Sequence, residues 1–136
     1  MLYNTLLIPS DGTAASEAVI RFICSIQKTI LAKVYVVYVV EVPRSLPLNE
    51  CPPTLLSIAR EVLEKAENIA LEYQAEIEAQ IIYARTAEDS ILSTAENLNC
   101  DIIAIAQSNQ KLKLFANAAL NIYQRAKCSV WLLNVK

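Results

Sequence analysis

Histidine is missing from this chain altogether, and glycine occurs once, as Gly12. Without an imidazole, the commonest general base, the usual nucleophile triads and most zinc sites fall away together. With a single glycine, the backbone has almost nowhere to close on an anion without a Cβ in the way, so a glycine-rich phosphate loop is excluded. Long apolar runs are missing too. The longest, Val34 to Val40, is fenced by Lys33 and Glu41 and is too short to cross a bilayer. The opening MLYNTLLIPSDGT has neither a basic segment nor a long apolar one, so no secretory signal is expected there and a cytoplasmic location is. Lys plus Arg number 12 against 14 for Asp plus Glu, and a net charge of -2 gives no field to steer nucleic acid or an acidic membrane surface. The four cysteines, Cys24, Cys51, Cys100 and Cys128, show no CxxC spacing. Metal ligation is not expected of them, and they read as reduced thiols filling small core positions. Cys100 and Cys128 each stand just before an apolar strand, which makes them candidate neighbours, although no bond between them is expected in a reducing cytosol.

What the chain does have is apolar pattern: 54% of its 136 residues are hydrophobic, enough for one domain with a sizeable core. TLLI (Thr5 to Ile8) runs into the turn Pro9-Ser10-Asp11-Gly12, and Val19, Ile20, Ile23, Ile26 and Ile30 then share one helical face. VYVVYVV (Val34 to Val40) lacks polar alternation, as a strand covered on both faces should. Four prolines make residues 41–53 a non-helical connection before a helix expected over Thr54 to Tyr73. EIEAQIIY (76–83) alternates in its first half and reads as an edge strand, and Thr86 with Asp89 three residues on reads as a threonine-capped helix start. The buried stripe of that helix is Ile91, Leu92, Ala95 and Leu98. DIIAIA (101–106), a helix from Asn117 to Arg125 and the strand SVWLLNV (129–135) complete five strands alternating with four helices. Right-handed crossovers make this a five-stranded parallel, doubly wound, Rossmann-like α/β sheet of order 3-2-1-4-5 in a single domain. In that order strands 1 and 4 are neighbours, and their loops, Pro9 to Thr13 and Gln107 to Asn117, flank the crevice where such folds bind ligands.

LLIPSDGTAASEAVIRF, VYVVYVVEVP, ARTAEDSILSTAENLNCDIIAIA and AKCSVWLLNV, in this order and spacing, resemble the universal stress protein family over essentially the whole chain. The family's ATP-binding members carry G-x2-G-x9-G-[ST] after strand 4. Here the first two glycine positions match Ala106 and Asn109, and alignment through AKCSV puts the third glycine and the hydroxyl on Ala116 and Asn117. Six residues then lie where nine belong, so the loop is shortened as well as stripped. The resemblance implies that Asp11 matches the acidic residue of the first loop, near adenosine, and Val40 the region whose backbone meets adenine. Both also have plain structural readings, Asp11 as an Asx-type turn with Gly12 and Val40 as core. Lys111 and Lys113 are the residues available to replace lost N–H donors with charge, or are solvated loop charges over Leu112 and Leu114.

With no histidine and no recognisable nucleophile, a non-enzymatic regulatory or interaction module without ATP binding in the family manner is expected, and no cofactor. The alternative is a sensor of an adenine nucleotide, AMP or ATP, with a rebuilt phosphate loop, and behind it a slow nucleotide hydrolase. The final strand is an apolar edge (Val130, Trp131, Leu132, Leu133, Val135) with no proline or inward charge, which invites another chain. A homodimer through it is expected, and the resemblance points the same way. Trp131 is its expected anchor unless the ring turns inward onto a helix of its own subunit. The linker VPRSLPL resembles a family variant appended to the cytoplasmic side of membrane transporters, which makes such a transporter or its regulator a candidate partner for a chain with no membrane insertion of its own.

Overall fold

The computed structural model describes residues 5–108 and 115–135. Each apolar run forms a strand and each periodic stretch a helix. The order is β1 (Thr5–Pro9), α1 (Ala14–Ile30), β2 (Lys33–Glu41), α2 (Pro53–Glu72), β3 (Ile77–Ala84), α3 (Ala87–Asn97), β4 (Ile102–Ser108), α4 (Phe115–Arg125) and β5 (Ser129–Val135). The strands form one sheet in the order β3-β2-β1-β4-β5. All neighbours are parallel, with Leu7 opposite Tyr35 on one side and Ile103 on the other. The expected topology is the observed one, and β3 and β5 are its edges.

Alternation along the central strands feeds two cores. Leu6, Ile8, Val34, Val36, Ile102 and Ala104 point into the layer under α1 and α2, with Val19, Ile20, Ile23, Leu63 and Ile69. Leu7, Tyr35, Val37, Ile103 and Ile105 point the other way, against Ile91, Ala95 and Ile122 of α3 and α4. Burial on both faces is why these strands carry no polar alternation.

Helix ends show how a chain poor in glycine manages its turns. Thr13 caps α1, its hydroxyl accepting from the Ser16 N–H at 3.3 Å. At the other ends, left-handed backbone normally given to glycine is taken by Leu31 after α1 (φ 55), Gln74 after α2 (φ 53) and Asn99 after α3 (φ 53). Two sequence expectations fail in detail. Thr86 occupies the cap position of α3, but its hydroxyl donates to Asp89 Oδ2 at 3.0 Å instead of accepting from the backbone. The cap comes from elsewhere: Glu41 Oε2, at the end of β2, accepts from the Ala87 N–H at 3.1 Å. Helix α4 begins at Phe115, before Asn117, because no proline or glycine in this stretch delays it. Asn117 is therefore inside the first turn.

Candidate functional site

At the carboxyl ends of β1 and β4 the chain leaves to opposite faces, and the first loop there is built by Ser10, Asp11, Thr13 and Ser16. Ser10 is buried, and its N–H donates to Val37 O at 2.8 Å, holding the loop to β2. Asp11 Oδ1 accepts from the Thr13 N–H (3.0 Å), the Thr13 hydroxyl (2.5 Å) and the Ser16 hydroxyl (2.6 Å). One carboxylate oxygen thus organises the turn, as an Asx motif should. Oδ2 has no partner among the described residues and is the oxygen available to a ligand. Gly12 has φ +80, and a Cβ there would stand 2.8 Å from Val62 Cγ2 of α2. The chain's one glycine is committed to this turn.

The other expected site residues divide. The Val40 side chain is buried in a small core with Val42 and Ala59, leaving only its backbone to the crevice. Ala106, near the end of β4, is buried on the α1 side. Asn109, Lys111 and Lys113 lie outside the described residues, and Ala116 and Asn117 are in the first turn of α4. Sequence reading missed two residues toward the carboxyl end of the sheet. Tyr38, half-buried on β2, has its phenol pushed up from its ordinary value by burial first and then by the charge of Asp11, so it stays a neutral donor. Its parity with Val36 and Val40 was the available signal. Arg85 Nη1 donates to the carbonyls of Val42 (3.3 Å), Pro43 (2.7 Å) and Leu46 (2.8 Å), fixing the proline-rich connection where it leaves β2.

The second expected surface is β5. Its side chains divide between the faces: Trp131, Leu133 and Val135 pack partly against the α1–α2 core, Val130 and Leu132 against the α3–α4 core. All five are half-buried within their own subunit. Three of the exposed large apolar groups, Phe22, Leu120 and Tyr123, are on the helices α1 and α4 that pack beside it. On α4, Asn121 and Arg125 face α3 through Glu88 (3.3 and 3.0 Å), with a further Arg125–Asp89 bond of 2.8 Å. Tyr123, midway between them in sequence, lies on the opposite flank about 200° round, toward the free edge. It is 55% exposed, and Leu120, one turn before it, is 43% exposed. On the other face Arg21 binds Glu72 of α2 at 2.8 Å. The adjacent Phe22, 46% exposed, is on the flank of α1 turned toward β4 and β5.

These features define a doubly wound α/β domain whose topological switch point falls between β1 and β4. The chain belongs to the universal stress protein family, whose profile matches residues 2–134. A universal stress protein of Methanocaldococcus jannaschii is 25% identical over 138 residues, covering 95% of this chain and 81% of that one. Among solved structures, the universal stress protein from Archaeoglobus fulgidus in complex with dAMP superposes with a TM-score of 0.77 at 21% identity, covering 97% of this chain and 98% of that one. A universal stress protein in complex with cAMP gives 0.80 at 16% identity over 100% of both chains. One from Arabidopsis thaliana with AMP bound gives 0.68 at 13% identity, over 98% of this chain and 92% of that one.

Proposed function

We propose that this universal stress protein is a non-catalytic regulatory module that acts as a homodimer on a protein partner and does not bind ATP in the family manner. One observation carries the reading. The chain's only glycine serves the first loop, against Val62, so none remains for the turn between β4 and α4. A triphosphate held by backbone N–H groups needs several close approaches that a Cβ obstructs. Membrane transporters and their regulators are the partner class suggested by the VPRSLPL connection. Calorimetry with ATP and magnesium tests the central claim: no heat of binding is expected, and micromolar affinity would overturn it.

A second reading, an adenine mononucleotide sensor, is favoured by the single phosphate of the dAMP, cAMP and AMP in the three similar structures. One phosphate asks less of the loop than three. On this reading Asp11 Oδ2 meets the ribose and Lys111 and Lys113 the phosphate. Titration with AMP separates the two, and a Lys111→Ala/Lys113→Ala double variant should then lose both affinity and its salt dependence.

A further inference from the structure

At the end of the sheet opposite the crevice, a cavity of about 380 Å³ opens between α3 and the turn from α4 into β5. Leu92, Ala95 and Ile103 form its apolar floor, and the exposed Glu96–Lys127 ion pair (2.9 Å) stands at its rim. Both Cys100 and Cys128 line it. The backbone explains why they meet. β4 and β5 are in register from Ile102 opposite Ser129, and the Ser129 N–H donates to Asp101 O at 3.1 Å. One further step back sets Cys128 beside Asp101 and Cys100 on the diagonal, about 6 Å away between Cα atoms by strand spacing, within the range a disulfide spans. The Schellman-like end of α3, with Asn99 left-handed and the Cys100 N–H donating to Ala95 O at 2.9 Å, turns Cys100 onto the face that Cys128 already occupies.

We propose that Cys100 and Cys128 are a reversible oxidation site, closing to an intramolecular disulfide when the chain meets a small-molecule disulfide of the glutathione type. Cys128, the less buried of the two, reacts first. Its thiol gives a proton to solvent, the thiolate attacks one sulfur of the small disulfide, and a thiolate leaves, giving a mixed disulfide. Cys100, deprotonated in turn, attacks Cys128 Sγ and expels the second thiolate. Two protein thiols are oxidised and one small disulfide is reduced to two thiols, both protons passing to the departing sulfurs through solvent. Burial pushes the Cys100 thiol up to about 11 and raises that of Cys128 as well, which keeps both mostly protonated and makes the exchange slow near neutral pH. The ratio of oxidised to reduced small thiol sets how far the bond closes. The bond would staple the start of β4 to the start of β5 and enclose the whole β4–α4 segment in one covalent loop. This site is independent of whether the crevice binds a nucleotide.

The test uses the full chain in redox buffers of increasing oxidised glutathione, quenched by alkylation and mapped by mass spectrometry without reduction. The expected result is a Cys100–Cys128 linked peptide, two fewer alkylated thiols, no retained glutathione, and a thermal midpoint raised on the order of 10 °C. Cys100→Ser should trap glutathione on Cys128, and a Cys24→Ser/Cys51→Ser variant should still close the bond. Four alkylated thiols at the most oxidising ratio, or a bond that uses Cys24 or Cys51, would overturn the proposal. If a serine variant fails to fold, the wild-type peptide map decides alone.

Discussion

Gly12 is the residue on which the first loop turns. Alanine there must hold φ +80 and also force its Cβ to within 2.8 Å of Val62 Cγ2, two costs that together come to about 1–3 kcal/mol. Gly12→Ala should lower the unfolding free energy from urea denaturation by that much, with a lower midpoint, and Gly12→Ala/Val62→Ala should recover part of it. An unchanged midpoint would show that the turn is not strained as described. Cys100 gives a second residue-scale expectation, with a definite sign. Burial, then Cys128 and Asp101, raise its thiol to about 11 from an ordinary 9.0. The folded form therefore keeps a proton that the unfolded chain loses first, so the stability it contributes is complete below pH 9 and is lost as pH rises through 11. Two units correspond to at most about 2.7 kcal/mol, and partial solvent access lowers this to roughly 1–2. Relative to wild type, Cys100→Ala should show a shallower loss of stability between these pH values. Parallel slopes would mean that the thiol is not desolvated. Asp11 shows what a sequence can and cannot carry at this scale. Asp-Gly after a strand announces a turn, but the choice of Thr13 and Ser16 as partners for Oδ1 depends on how α1 departs.

Among the elements, the clearest expectation concerns the end of α1. Leu31 sits at φ 55 with its side chain 70% exposed, so it meets the steric cost of a left-handed residue with little burial in return. Leu31→Gly should stabilise the fold by about 1 kcal/mol in chemical denaturation, whereas Leu31→Val should destabilise it. Equal stability of all three would refute the account. The elements themselves were largely legible. Apolar runs without alternation gave β1, β2 and β4, periodic isoleucines gave α1, and strand–helix alternation gave the sheet order. What escaped were features fixed by distant parts of the chain. Glu41 caps α3 across a long separation in sequence while Thr86 turns to Asp89, which Arg125 also holds. Arg85 reaches back to three carbonyls of the proline-rich connection. No local propensity contains either fact. The helix expected from Asn117 starts two residues earlier, at Phe115, since neither proline nor glycine stands there to mark a boundary.

At the scale of the whole molecule, the proposed assembly rests on a free edge flanked by Phe22 on one side and Leu120 with Tyr123 on the other. A two-fold pairing of β5 with its copy would join both ladders and cover these groups on both subunits. Because Tyr123 is exposed and serves no core, Tyr123→Glu with Leu120→Glu should weaken self-association at least about tenfold in sedimentation while leaving the fold intact. A wild-type chain that sediments as a monomer at micromolar concentration would exclude the dimer. The sheet order also governs how this chain is born. β1 lies between β2 and β4, so after β3 has emerged from the ribosome β1 still has one naked side. Its apolar residues Leu6, Leu7 and Ile8 remain half-clad until residues 85–108 have followed. At about 5–20 residues per second this vulnerable interval lasts on the order of seconds, long enough for a nascent chain to recruit a chaperone or a neighbouring polysome's product. Chains stalled before β4 should crosslink to chaperones, and chains stalled after β5 should not.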